Sequence, residues 1–119
     1  MTTTLTLPSP PSINGLWYNV PGKGRVKSKL YRAWQTAAGW ELAIQRPKKI
    51  KGRYKMQFFA ARSKRRSDIG NLEKALSDLL VAHQVIEDDA YAETITASWA
   101  DDLDPKTVRV VLEEVGDGR

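Results

Sequence analysis

The chain has 119 residues, no cysteine and a formal net charge of +5, so one domain that buries a core without staples is expected, while disulfide frameworks, thiolate zinc sites and cysteine nucleophiles are excluded. No apolar run approaches the roughly 18 residues that suggest a membrane span, and Met1 to Leu7 lacks the cationic start and apolar stretch of a signal peptide, which gives the expectation of a soluble cytoplasmic protein. The modest net charge hides an asymmetry: residues 1 to 67 hold 15 of the 19 Lys and Arg and a single acid, Glu41, whereas residues 68 to 119 hold 4 basic and 13 acidic residues. That polarity points to a nucleic-acid partner, although two solvated faces that partly compensate one another would give the same count.

A strand is expected over Thr3 to Leu7, ended by Pro8, Pro10 and Pro11, which cannot donate ladder hydrogen bonds. From Ser12 to Lys27, Asn14, Gly15, Asn19, Pro21, Gly22 and Gly24 interleave with Trp17, Tyr18, Lys23, Arg25 and Lys27. This reads as a mobile arm carrying stacking rings and phosphate contacts, or as a surface loop whose Trp17 plugs a core gap. Ser28 can cap a helix from Lys29 to about Gln45, with Leu30, Ala33, Trp34, Ala37 and Ile44 near one face, weakened by Gly39 and ended by Pro47. Lys48, Lys49, Lys51 and Arg53 form a basic turn around Gly52, after which Tyr54, Met56, Phe58 and Ala60 alternate with Lys55, Gln57, Phe59 and Ala61 as a strand requires. Phe59 on the second face suggests that both faces are at least partly covered.

The basic run Arg62, Lys64, Arg65 and Arg66 leads into Asp68 and then into a second helix. Leu72, Ala75, Leu76, Leu79 and Leu80 recur at helical spacing, which predicts an apolar stripe over about Ile69 to Ala82 that packs on a sheet. Strands follow over Tyr91 to Trp99 and Thr107 to Glu113, separated by the acidic turn 101–105. The order strand, helix, strand, helix, strand, strand predicts a single α+β domain over residues 1–119, a small mixed β-sheet with two main helices packed on one side.

Carboxylates flank the second helix, Asp68 before it and Asp88 and Asp89 after it, and Mg²⁺ held by carboxylates stabilises phosphoryl charge and activates water. That helix is roughly 20 Å long, and the segment from Gln84 to Asp89, at about 3.3 Å per residue extended, can run back as far, so Asp68 and Asp89 can meet. Plain alternatives stand beside this: Asp68 as a helix cap, Asp88-Asp89 as a polar turn, and Lys74 paired with Asp78 instead of steadying a reacting phosphate. His83, the only histidine, suits the end of the helix dipole.

The segment Asp68-Ile69-Gly70-Asn71-Leu72-Glu73-Lys74-Ala75, with Asp78-Leu79-Leu80 and Asp88-Asp89, resembles the signature of the RusA-like Holliday junction resolvases: Asp-x-Asp-Asn-x-x-Lys, then Asp-x-Leu, then Asp-Asp. Leu7-Pro8-Ser9-Pro10-Pro11-Ser12-Ile13-Asn14 is similar to that family's opening strand and loop, and order and spacing agree from about Leu5 to Glu114. The resemblance implies a homodimeric, Mg²⁺-dependent endonuclease, with Mn²⁺ as a substitute, in a bacterial or phage-derived cytoplasmic setting. Its substrate is the four-way DNA junction, nicked symmetrically in recombination and repair. By position, Asp68 and Asp89 match metal-binding aspartates, Asp88 their acidic neighbour and Lys74 the lysine needed for cleavage.

Gly70 falls on the remaining aspartate of the signature and has no side chain to hold a metal. Reduced or lost cleavage with retained DNA binding is the expectation, with Glu73 or Glu87 as the carboxylate that could compensate. The alternative is a non-catalytic, structure-selective DNA-binding protein of the same descent; an RNA-binding accessory role rests on charge alone. DNA contacts are assigned first to Arg62, Lys64, Arg65 and Arg66, then to Lys48, Lys49 and Lys51, with Lys23 and Arg25 on the arm.

Overall fold

A computed structural model describes residues 2–11, 17–62 and 69–115. The main sheet has four strands in the order β1-β6-β4-β5: β1 (Thr2–Pro8), β4 (Tyr54–Ala61), β5 (Ala92–Ala100) and β6 (Thr107–Glu114). β6 pairs antiparallel with β1 and β4, while β5 pairs parallel with β4, so the sheet is mixed. The segment expected as a loop instead carries a separate hairpin of β2 (Trp17–Val20) and β3 (Gly24–Lys27). Gly22 and Gly24 take positive φ there (81° and 77°), so the glycines that read as loop punctuation serve a tight turn between strands.

Period-two alternation points one row of side chains inward. Leu5, Leu7, Val108, Val110, Leu112, Met56, Phe58 and Ala60 are all buried, and the register sets Leu5 and Phe58 on either side of Val110. Both helices, α1 (Lys29–Gln45) and α2 (Ile69–Ala82), contribute to this same cluster, so the domain has two layers. Phe59, on the other face, is covered by a side chain instead of a helix: the Arg109 guanidinium lies 5.8 Å from its ring centroid and is itself held by Asp102 at 2.7 Å.

α2 buries the predicted stripe in full, Leu72, Ala75, Leu76, Leu79 and Leu80. α1 is capped as expected, Ser28 Oγ accepting the Tyr31 N–H at 3.0 Å, and stops at Arg46 in the left-handed region (φ 50°), one residue before Pro47. Its buried face differs from the expected one. Tyr31, Trp34, Ala38 and Leu42 face the core, whereas Leu30 (65% exposed), Ile44 (69%), Ala33 and Ala37 face outward with Trp40 (68%). The helix carries two apolar stripes about a third of a turn apart, and only Trp34 of the expected set lies on the inner one.

α1 also closes one sheet edge. Gln45 Nε2 donates to the Thr6 carbonyl at 2.7 Å, its Oε1 accepts the Thr6 N–H at 3.0 Å, and Trp34 Nε1 donates to the Pro8 carbonyl at 2.7 Å. Gly39 has a packing role on this helix: a Cβ there would meet the His83 imidazole at 2.9 Å, so the missing side chain lets that ring sit against α1. The other edge, β5, has Thr94, Ile95, Thr96 and Ala97 exposed.

Candidate active site

The chain leaves α2, makes a parallel bridge between Ile86 and Ile50, and turns through a single 3-10 turn, Asp89–Tyr91, into β5. β5 therefore starts one residue later than expected, because the residues just before it are wound. Asp88 caps that turn, its Oδ1 accepting the Ala90 N–H at 2.9 Å, so the polar-turn reading holds for Asp88. Asp89 is exposed, and its backbone carbonyl accepts the Ala92 N–H. Where β5 begins, its register slips: Tyr54 pairs with Ala92 but Lys55 with Thr94, leaving Glu93 out of the ladder and ion-paired to Arg53 at 2.7 Å.

Tyr54 stands at the centre of this corner. It opens β4 as the first residue of the inward row and is wholly buried, and its hydroxyl is the one buried side-chain polar atom among the described residues with no hydrogen-bond partner. Such an orphan costs about 1–3 kcal/mol. Burial pushes its pKa up to about 12, and the carboxylates of Asp89, Glu73 and Asp88 push the same way, in that order. Three acidic groups from two elements thus act on one buried hydroxyl.

The two candidate substitutes for the missing aspartate separate here. Glu87 accepts the Gly52 N–H at 2.7 Å, and so ties the turn before β4, where Gly52 has φ 77°, to the end of α2. Glu73 accepts from the buried Ser77 hydroxyl at 2.9 Å and is the α2 carboxylate that acts on Tyr54 beside Asp88 and Asp89. Lys74 and Asp78 form the plain i,i+4 pair, at 3.9 Å with both side chains solvated, which is worth only a few tenths of a kcal/mol. Gly70 is exposed, and a Cβ built on it meets nothing within 4 Å.

All-oxygen donors suit Mg²⁺, and Asp89, Glu73 and Asp88 are carboxylates that act electrostatically on the unpartnered Tyr54 hydroxyl. Among the described residues, no three His, Asp or Glu side chains stand close enough to hold one ion. Asp68, with Lys64, Arg65 and Arg66, lies outside the described residues. The described carboxylates alone therefore do not make up an ion site, and the motif expects Asp68 as a further donor.

A family model described as Endodeoxyribonuclease RusA matches residues 8–113, from the end of β1 to the end of β6. The chain belongs to the RusA family. No curated protein matches it significantly. Membership makes this a nuclease of the kind that resolves Holliday junctions and binds branched DNA. No helix among the described residues is long and apolar enough to cross a membrane.

Within the RusA domain the predicted basic residues fall in three places. Lys49 and Lys51 line a cleft of about 460 Å³ with Glu87, Gln84, Ile50 and Ile86, so this turn borders the acidic corner. Arg62 follows β4 and is held by Asp101 at 2.7 Å, a full strand length, roughly 25 Å at about 3.3 Å per residue, from Tyr54. Closeness to Asp68 in sequence therefore does not bring Arg62 to Asp89. Lys23 lies in the hairpin turn and Arg25 on β3, both exposed. Sequence reasoning took Tyr54 only as a strand residue and did not anticipate its buried, unpartnered hydroxyl, whose one signal was being the only hydroxyl in the row Tyr54, Met56, Phe58, Ala60.

Proposed function

We propose that this RusA-family chain is a junction-selective endonuclease working through a divalent-ion site on Asp68 and Asp89, with Asp88 beside them, and that Gly70 lowers its cleavage rate. The observation that supports it most is the match to the family from residue 8 to 113, with exposed Asp89 and its neighbour Asp88 at the turn into β5. When bound, Mg²⁺ supplies charge neutralisation at the phosphoryl group and activation of water. Glu73 is the carboxylate that substitutes, in part, for the one missing at Gly70, since Glu87 is committed to the Gly52 N–H. Lys74, exposed and held only by Asp78, is able to swing to the scissile phosphate and steady its developing charge.

A homodimer belongs to the same reading, because two identical sites related by a twofold axis address two like strands. The outer stripe of α1 suits a second copy of the chain. Leu30, Ala33, Ala37, Trp40 and Ile44 follow the alternating three-four spacing of a self-complementary helix seam.

The test compares wild type with Gly70→Asp on a synthetic four-way junction in Mg²⁺ or Mn²⁺. The variant is expected to cleave at least about tenfold faster, a barrier change of about 1.4 kcal/mol; no gain would overturn the role given to Gly70. The non-catalytic reading draws on the absence, among the described residues, of three carboxylates close enough to share an ion. Junction binding without cleavage by either protein would establish it.

A further inference from the structure

The hairpin of β2 and β3 stands apart from the layers that make the core. Its strands pair only with one another, neither packs extensively on another element, and none of residues 19–27 is buried. Its base is nonetheless fixed. The Arg32 guanidinium donates to the Lys27 carbonyl at 3.1 Å, the Lys27 ammonium lies 5.6 Å from the centroid of the buried Tyr31 ring, and Ser28 then caps α1. The tip is closed by the Lys23 N–H donating to the Val20 carbonyl at 3.0 Å, between Gly22 and Gly24 at positive φ. A projection held at both ends in this way is presented to a partner with little ordering left to do.

Its charge is of one sign. No Asp or Glu precedes Glu41, and the hairpin carries Lys23 and Arg25 exposed at and beside its turn, with Lys27 at its base. Its place in the fold separates it from the acidic corner. α1 is tied at Gln45 to Thr6 and at Trp34 to Pro8, so its N-terminus, where the hairpin joins, points past the end of β1 that pairs with Thr107. Asp89 leads into β5 at the other end of the sheet, where Tyr54 pairs with Ala92 and Glu114. The length of β1 between those ends is roughly 20 Å at about 3.3 Å per residue.

We propose that the hairpin is a grip for a duplex arm of the branched DNA, its tip cations Lys23 and Arg25 contacting phosphates roughly six or more base pairs, at about 3.4 Å each, from the strand held at the acidic corner. The inference rests on the nucleic-acid reading above and adds to it a second point of contact. Cations on phosphates position a protein on a duplex without reading its sequence, which suits an enzyme that recognises the shape of a branch.

The test pairs two double variants that make the same change of charge at exposed lysines and arginines: Lys23→Glu with Arg25→Glu on the hairpin, and Lys55→Glu with Lys106→Glu elsewhere. Binding to a synthetic four-way junction is measured over a salt series without divalent ions, together with a hydroxyl-radical footprint. The hairpin variant is expected to bind at least about tenfold more weakly at low salt, to lose about 0.9 in log–log slope per contact removed, and to lose protection on the arms while keeping it at the branch. Equal losses in the two variants, or an unchanged arm footprint in the hairpin variant, would overturn the proposal. Both variants are expected to melt as wild type does. If the hairpin variant melts lower, Lys23→Ala carries the same test, with a slope loss of about 0.9 expected and an unchanged slope counting against the grip. A wild-type protein that binds no junction would instead sink the nucleic-acid reading itself, a result distinct from a variant that binds as well as wild type.

Discussion

Gly70 is in the first turn of a helix, with open space where its side chain would be. Among the described residues nothing in the packing requires a glycine there. Glycine costs a helix about 0.5–1 kcal/mol relative to alanine, and a carboxylate near the N-terminus gains from the helix dipole. Gly70→Asp is therefore expected to stabilise the fold by about 0.5 kcal/mol in urea unfolding. Destabilisation instead would mean that repulsion between the added carboxylate and nearby acidic groups outweighs both gains. Tyr54 carries the pH prediction. Its hydroxyl holds its proton more tightly in the folded chain than in the unfolded one, so its contribution is complete below pH 10 and is lost as pH rises towards 12. Tyr54→Phe should flatten the alkaline loss of stability by an amount on the order of 2 kcal/mol. Tyr31, also raised by burial and then by Asp78, keeps a remaining slope.

At the scale of elements, what the sequence revealed depends on whether one pattern competed with another. α2 has a single apolar stripe, Leu72 to Leu80, and every predicted position is buried. α1 has two, and residue type cannot say which one meets the sheet. That choice is made by Tyr31 and Leu42 against the core and by Gln45 and Trp34 bonding to the edge of β1. β2 and β3 were hidden because four-residue strands joined by glycines look like loop composition. The acidic corner was legible as Asp88-Asp89, but the electrostatic action of Asp89 and Glu73 on the buried Tyr54 hydroxyl links elements far apart in sequence, which no local spacing encodes. The outer α1 stripe makes its own prediction: Trp40→Lys with Ile44→Lys should leave the fold intact and give a monomer by sedimentation. An unchanged dimer mass would move the contact elsewhere, the open β5 edge being the next surface to examine.

Taken as a whole, the molecule mixes the two charge halves that the sequence keeps apart. Arg53–Glu93 and Arg62–Asp101 are ion pairs between the basic half and the acidic one, and Lys49 and Lys51 share a cleft with Glu87. Part of the asymmetry is therefore compensated internally, as the plainer reading of the charge count allowed. The uncompensated part is expected to bind phosphate. Junction affinity should fall steeply with salt, losing about 0.9 in log–log slope per phosphate contact removed. Reversing Lys49 and Lys51 to glutamate should weaken binding and flatten that slope by one to two such units. Equal affinity would move the contact to the segment before α2.

The strand order carries a consequence for how the domain comes into being. β6 is the last strand among the described residues yet lies inside the sheet, with β1 on one side and β4 on the other, and its inward Val108, Val110 and Leu112 are wholly buried. During synthesis, the partners of that strand leave the ribosome long before it does, and β1 has no ladder neighbour until it arrives. Folding must then wait for residues 107–114 and close in one late, cooperative step, with the apolar faces of β1 and β4 exposed to chaperones in the interval. A chain ending at Lys106 should show no cooperative thermal transition, whereas one ending at Val115 should melt like the full-length protein.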